Sequence, residues 1–336
     1  MEYRILDRYP GTGNQSAGET VTPAFFIVGV GRSGTTLLQA MLNAHPRIGV
    51  SPEFHFVRRF LFTNTLRTVG DGMAQARFLQ ADRFIRRLNI PESQWQKWAQ
   101  QVPEGDSRLY WFTTILSYVH SRTGKPIIGV KEPRAIEWLV PLSRLFPQSK
   151  ILHIVRDPRD VLLSKLRAGW SRNRPPALHV AVHKYQLAMW HYAESHSLPM
   201  LTIHYENLIR ESETVLRKVC RFLGVEYSPA MLTYYTSADT LIHKDEAEWK
   251  GNVTRPVLTN NAGKWRQELP KSYQYLMQTV LKEDFETLGV PLEPVALSKG
   301  QRVTWWMVAQ AVRAGAWGLT RYQQWKCKRI LHTADS

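Results

Sequence analysis

The stretch FFIVGVGRSGTTLLQAMLNAHP, Phe25 to Pro46, carries three signals in succession. Phe25-Phe26-Ile27-Val28 is a short aromatic and β-branched run, the composition of a buried strand. Gly29, Gly31 and Gly34 follow, and beyond them Leu37, Leu38, Met41 and Leu42 recur with helical spacing. The stretch reads as strand, glycine turn, helix. Backbone N–H groups from Arg32 to Thr36 then stand at a helix N-terminus, whose partial positive charge favours an anion.

Two other nucleotide signatures overlap these residues. Gly29-x-Gly31-x-x-Gly34 fits the dinucleotide fingerprint, and Glu53 stands 19 residues after the last glycine, near the place of a ribose-binding acid. That acid follows Ser51-Pro52 rather than closing a strand. The triphosphate loop GxxxxGK aligns with Gly29 and Gly34 but meets Thr35 where its lysine must reach the phosphates, which disfavours a kinase or ATPase. A phosphate cradle that lacks this lysine keeps the same physics. Gly31, Arg32, Ser33, Gly34, Thr35 and Thr36 would form it, and Arg32 is placed to reach a group leaving from the phosphate.

Further strand-like runs lie at 47–50, 126–130, 150–155 and 200–204, separated mostly by helix-length periodic segments. The expected fold is α/β: a P-loop-like, three-layer arrangement with a central parallel sheet of about five strands flanked by helices, plus a C-terminal amphipathic helix. Residues 1–23 read as a flexible tail, 24–295 as the main domain with a helical insertion around 56–122 on what would be its substrate side, and 296–336 as a basic, Trp-rich extension. In that extension Trp305, Trp306, Val308, Ala309, Val312 and Trp317 recur with helical period among Arg302, Arg313, Arg321, Lys326, Lys328 and Arg329. Two readings stay open: the helix packs its tryptophans on the domain, or 301–331 makes a peripheral contact with an anionic membrane.

A second segment bears on the glycine loop. Arg156 closes the run KILHIV, and Ser164 lies on the helix that follows, so a cation and a hydroxyl are offered to a second phosphate. With both motifs in place the chain resembles the sulfotransferases that use 3′-phosphoadenosine 5′-phosphosulfate (PAPS). In that family an Arg- or Lys-Ser-Gly-Thr-Thr loop holds the 5′-phosphosulfate, and an Arg with a Ser eight residues on holds the 3′-phosphate. Arg32 to Thr36, Arg156 and Ser164 match at that spacing. GRSGTTLLQAMLNAHPRIGVSPEFHF is similar to the protein-tyrosine and carbohydrate branches, which implies a catalytic role for Glu53, and EFHF is similar to the Glu-x-His-Phe of the heparan enzymes. The resemblance further implies Lys131, in GVKEPR, as catalytic lysine, Tyr205 beside the nucleotide, and Lys264, in RPVLTNNAGKW, as a phosphate- or adenine-side contact. It covers most of 24–290. The catalytic serine of the tyrosine branch has no match, and the acceptor is not carried over.

The implied reaction is in-line transfer of a sulfuryl group from PAPS to a hydroxyl or amine. Glu53 is the expected general base, with His55 as alternative base or orienting partner. Arg32 and Lys131 would stabilise the transferring and leaving charge. A sulfuryl group carries less charge than a phosphoryl group, so no metal is expected. Each residue has a plainer reading: Glu53 as an acid ion-paired with Arg58 and Arg59, Lys131 as a solvated strand-end lysine, His153 as a satisfied core histidine, and Asp157 and Asp160 as turn and first-turn residues.

Composition sets the outer limits. At 43% hydrophobic and 21% charged, with 12 Trp, 13 Tyr and 12 Phe, the chain holds enough apolar material to exclude global disorder. The 44 Lys and Arg against 28 Asp and Glu leave a net +16, which attracts anionic ligands without choosing among them. Charge aside, nothing suggests nucleic acid, and no such partner is expected. The competing classes are an NAD(P)-binding oxidoreductase, which gives Arg156 to Ser164 no role, and a basic membrane- or nucleic-acid-binding module, indifferent to Glu53. Cys220 and Cys327 have no ligand or disulfide spacing, the first 20 residues lack a secretory pattern, and no run of about 18 apolar residues occurs. The expectation is a cytoplasmic protein, possible contact at a membrane periphery included. Its acceptor, whether glycan, lipid, peptide or small molecule, is left open.

Overall fold

The computed structural model describes residues 21–171, 173–236, 238 and 251–332. Residues 1–20 of the expected tail and 333–336 of the extension lie outside these. The five expected strands form, each within one residue of its predicted ends: β1 Phe25–Val28, β2 Ile48–Ser51, β3 Ile127–Lys131, β4 Lys150–Val155 and β5 Met200–His204. They make one all-parallel sheet in the order β2-β3-β1-β4-β5. The helices are α1 Thr35–Asn43, α2 Gly72–Ala81, α3 Arg83–Arg86, α4 Glu92–Ala99, α5 Arg108–Ser121, α6 Leu139–Leu145, α7 Pro158–Arg167, α8 Pro176–Glu194, α9 Tyr205–Arg210 and α10 Ser212–Leu223. Then follow α11 Trp265–Glu268, α12 Lys271–Val280, α13 Lys282–Thr287 and α14 Lys299–His332.

Period-two alternation sorts the strand residues between two cores. Phe25 and Ile27 face one side with Leu38 and Met41 of α1, whereas Phe26 and Val28 face the other with Trp111 and Phe112 of α5. All four residues of β1 are fully buried, as expected for a central parallel strand covered on both faces. In register, Phe25 pairs with Gly129, and a Cβ at Gly129 would stand 2.2 Å from the Phe25 ring. The absence of a side chain at Gly129 leaves room for the outer end of that ring. The predicted insertion is built from a π-helical turn at Val57–Leu61 and helices α2 to α5, with Trp95 and Trp98 packed edge to face at 5.4 Å.

Two expectations are corrected here. His153 is fully buried as predicted but not satisfied: neither ring nitrogen has a hydrogen-bond partner among the described residues, and the ring lies 4.6 Å from that of Trp190. Burial, with His191 and His204 nearby, pulls it down to about 3, so it is neutral throughout the physiological range. The C-terminal helix does pack, against α8 and α12, but not through its tryptophans as a group. Its buried residues are Ala309, Val312, Ala316, Thr320, Gln323, Cys327 and Ile330. Trp305 is half-buried with its ring 5.6 Å from that of Tyr273, while Trp306 and Trp317 face outward.

Candidate active site

Parallel strands put all their C-terminal ends on one edge, the edge at which open α/β sheets bind ligands. Each end delivers one residue to a single cavity: Arg32 after β1, Glu53 after β2, Lys131 closing β3, Arg156 after β4 and Tyr205 after β5. The cavity measures about 840 Å³ and is also lined by Gly31, Gly34, Thr35, Thr36 and His55. A smaller chamber of about 230 Å³ shares Arg32 and Arg156 with it and adds Ser164, Arg167 and Lys264.

The glycine loop is shaped by two left-handed residues, Arg32 at φ 82° and Gly34 at φ 102°. A long side chain in that region is strained, and such strain gathers at functional sites. No side chain caps α1, so the first-turn N–H groups of Thr35 and Thr36 have no helical partner and lie at the cavity wall. Ser33 departs from its expected role: its N–H donates to the Val30 carbonyl at 3.1 Å and its side chain is buried away from the cavity. A Cβ on Gly34 would meet the Tyr205 ring at 2.4 Å, so the ring is seated directly on the loop.

Around this loop the cations are tightly arranged. Arg32 Nε donates to Ser164 Oγ at 3.0 Å. Arg156 donates from Nη1 to the Arg32 carbonyl at 3.3 Å and from Nη2 to the Asn261 carbonyl at 2.7 Å, with its guanidinium 4.4 Å from the Tyr205 ring centre. Its Nε is buried with no hydrogen-bond partner among the described residues. Burial and the neighbouring Arg156 pull the Arg32 guanidinium down to about 10, so it stays cationic at neutral pH. Two guanidinium groups held together, one with an orphaned buried donor, fit a bound anion.

In the same cavity Glu53 and Lys131 form an ion pair, and His55 Nε2 lies 3.4 Å from the other Glu53 oxygen. The reading of Glu53 as an acid held by Arg58 and Arg59 is therefore corrected: Arg59 pairs instead with Asp82 at 2.5 Å. Nor is Lys131 solvated, being 1% exposed. His55 is left-handed at φ 55° and its ring meets that of Phe84 edge-on at 4.2 Å.

Three residues shape the site in ways the sequence did not indicate. Glu132, fully buried, accepts from the N–H groups of Val57 and Arg58 at 3.1 and 3.0 Å, tying the segment that follows Glu53 and His55 to the end of β3. Burial pushes its carboxyl up to about 7 against those two bonds. Asp157 is the expected N-cap of α7, but Asp160 does more than complement a helix dipole. It accepts from the N–H groups of Gly263 at 2.6 Å and Trp265 at 3.1 Å, anchoring the late loop that brings Lys264 to the small chamber. Asn261 in the same loop donates to the Tyr205 hydroxyl at 2.8 Å. The acids in GVKEPR and RDPRD were visible, but their partners lie about 75 and 105 residues away in the chain. Among the described residues no group of three His, Cys, Asp or Glu is placed to hold a metal ion.

Residues 23–229 match the sequence profile of the sulfotransferase family. The chain belongs to that family. A putative protein-tyrosine sulfotransferase of Caenorhabditis briggsae is 24% identical over 242 residues, 70% of this chain and 78% of that one. Protein-tyrosine sulfotransferase 2 of Gallus gallus is 27% identical over 275 residues, covering 74% of this chain but 64% of its own length. Among solved structures, the sulfotransferase domain of the Synechococcus PCC 7002 olefin synthase superposes with a TM-score of 0.54 at 22% identity, over 90% of this chain and 98% of that one. This sulfotransferase thus has the P-loop-like α/β fold expected from the strand, glycine turn and helix at its first motif. Family membership sets aside the dinucleotide oxidoreductase and the non-catalytic binding module.

Proposed function

We propose that the protein transfers a sulfuryl group from PAPS to a hydroxyl or amine, with the 5′-phosphosulfate on the glycine loop and the 3′-phosphate in the small chamber. The observation that carries this reading is the convergence of Arg156, with its orphaned Nε, on Arg32 and Ser164 beside an uncapped helix end. Thr35, Thr36 and Arg32 would hold the first anion, Arg156, Ser164 and Lys264 the second, and Tyr205 the nucleotide flank. When bound, PAPS supplies an activated sulfuryl group. Glu53 takes the acceptor's proton as the new S–O or S–N bond forms, and the Glu53 carboxylate oxygens at the cavity wall suit that role. Arg32 and Lys131 stabilise charge on the oxygen that leaves, as fixed cations do in a water-poor cleft.

The acceptor side of the cavity is lined by Arg58, Arg83, Arg87, Arg134 and Arg174 around Phe84 and Trp170. Burial and the facing Arg134 hold the Arg58 guanidinium below its ordinary value, and its Nε has no hydrogen-bond partner among the described residues. This wall supports an acceptor with negative charge near its nucleophile. The protein-tyrosine reading of its relatives is one such possibility, an acidic glycan another. In an acceptor screen, Arg58→Ala should raise KM for anionic acceptors by about 10-fold or more, as for a lost charge-assisted contact, and leave kcat near its starting value.

Isothermal titration with adenosine 3′,5′-bisphosphate tests the donor site directly, with NADP as control. Binding should be selective for the bisphosphate, and Arg156→Ala should weaken it about 10- to 100-fold, the span of one or two charge-assisted bonds. Unchanged affinity in that variant would mean that the second phosphate motif has another purpose.

A further inference from the structure

The long C-terminal helix inverts the usual arrangement of an amphipathic helix. Its buried face carries no aromatic residue, being Ala309, Val312, Ala316, Thr320, Gln323, Cys327 and Ile330, while its largest apolar side chains face solvent: Trp306, Trp317, Tyr322 and Trp325 are 51%, 68%, 55% and 52% exposed, and Met307 is 54%. An exposed apolar stripe of this kind marks an interaction surface, where scattered single residues would not. At 34 residues the helix runs about 50 Å, at roughly 1.5 Å per residue. Among the described residues no helix is long and apolar enough to cross a membrane.

Charge says what the stripe meets. Between Lys299 and His332 there is no Asp or Glu, against Lys299, Arg302, Arg313, Arg321, Lys326, Lys328 and Arg329. Arg313 turns inward, donating to the carbonyls of Thr279 and Val280 and lying 3.7 Å from the Glu283 carboxylate. Trp317, Arg321, Trp325 and Arg329 follow one another at four-residue steps, so aromatic and cationic groups alternate along one exposed row. The rings of Tyr322 and Trp325 stack at 6.0 Å, with the Lys326 ammonium 4.4 Å from the first and the Arg329 guanidinium 5.4 Å from the second. The cations are thereby held at the level of the rings.

We infer that the outer face of α14 docks on an anionic lipid bilayer, lying in its interface with the tryptophans at headgroup depth and the Lys and Arg among the phosphates. Tryptophan is suited to that depth because its body is apolar and its N–H is polar. A second copy of the chain suits the stripe less: two faces without acids would oppose like charges. The inference is independent of the reaction at the sheet edge, because this face is neither part of the cavity nor within the residues matched to the family.

Flotation of the whole protein with phosphatidylcholine vesicles, with and without about one-third phosphatidylserine, tests it. Binding should be at least about 10-fold stronger to the anionic vesicles and should weaken with salt, as attraction of several cations to a charged surface requires. Trp317→Ser with Trp325→Ser should remove it, and Arg321→Glu with Lys328→Glu should do the same. All four side chains are exposed, so binding of adenosine 3′,5′-bisphosphate and the thermal midpoint should be unchanged and serve as controls for folding. Equal binding to both vesicle types would overturn the charge argument. So would absence of binding, and if it came with a dimer that the tryptophan pair dissolves, the face would belong to a second copy.

Discussion

Glu53→Gln is expected to bind adenosine 3′,5′-bisphosphate as the parent protein does while losing turnover by about 10²- to 10⁴-fold, the usual worth of a positioned general base. The amide keeps the size of the side chain but accepts no proton. It also removes the anionic partner of Lys131, a side chain 1% exposed, so part of the loss will arise from a displaced cation. His55→Gln separates the two candidates. His55 lies 3.4 Å from Glu53, and if it only orients the carboxylate, its loss should cost far less than that of Glu53. Near-normal turnover in Glu53→Gln, with collapse in His55→Gln, would pass the base role to the imidazole. The comparison is made by single-turnover rates at saturating donor, so that affinity does not enter.

The second large effect is expected at Gly34. Its φ of 102° alone penalises any side chain by about 1–3 kcal/mol, and a Cβ would lie 2.4 Å from the Tyr205 ring. Gly34→Ala must either rotate the loop, which turns the Thr35 and Thr36 N–H groups off target, or expel Tyr205. Expulsion would break the Asn261 bond to the tyrosine hydroxyl and remove the face on which Arg156 rests. Calorimetry should show a lower thermal midpoint, and titration a loss of bisphosphate affinity of about 100-fold or more, roughly 3 kcal/mol at 1.4 kcal/mol per decade. A variant that melts earlier yet binds normally would show that the cradle does not depend on the loop's backbone shape.

Much of this was legible in the residues because the signals were local. FFIV, IGVS, IIGVK, KILHIV and MLTIH are short apolar runs, and glycines, prolines or charges bound them, so five strands in a parallel sheet followed from pattern, whereas their order in that sheet did not. The glycine loop and the Arg156 to Ser164 segment were also contiguous. What escaped was long-range: Glu132 clamping the backbone at Val57, Asp160 holding the loop at Gly263, and Asn261 reaching Tyr205. Nothing in the neighbourhood of an acid states which distant N–H it will accept. The orientation of the last helix failed for a different reason. Its tryptophans share a helical period with alanines and valines, and hydrophobicity alone does not say which of these turns toward α8.

The position of β1 between β3 and β4 has a bearing on how the protein is made. Its nearer neighbour in the chain, β3, begins 99 residues after Val28 ends the strand. A ribosome adding about 5–20 residues per second takes roughly 5–20 s to cross that interval. Until β3 is made Phe25–Val28 has no sheet to enter, and neither has β2, which among the described residues pairs with β3 alone. An apolar strand waiting with open edges is a template for mispairing. The yield of soluble protein will therefore turn on what shields these eight residues during synthesis, and slowing translation before Ile127 should lower it.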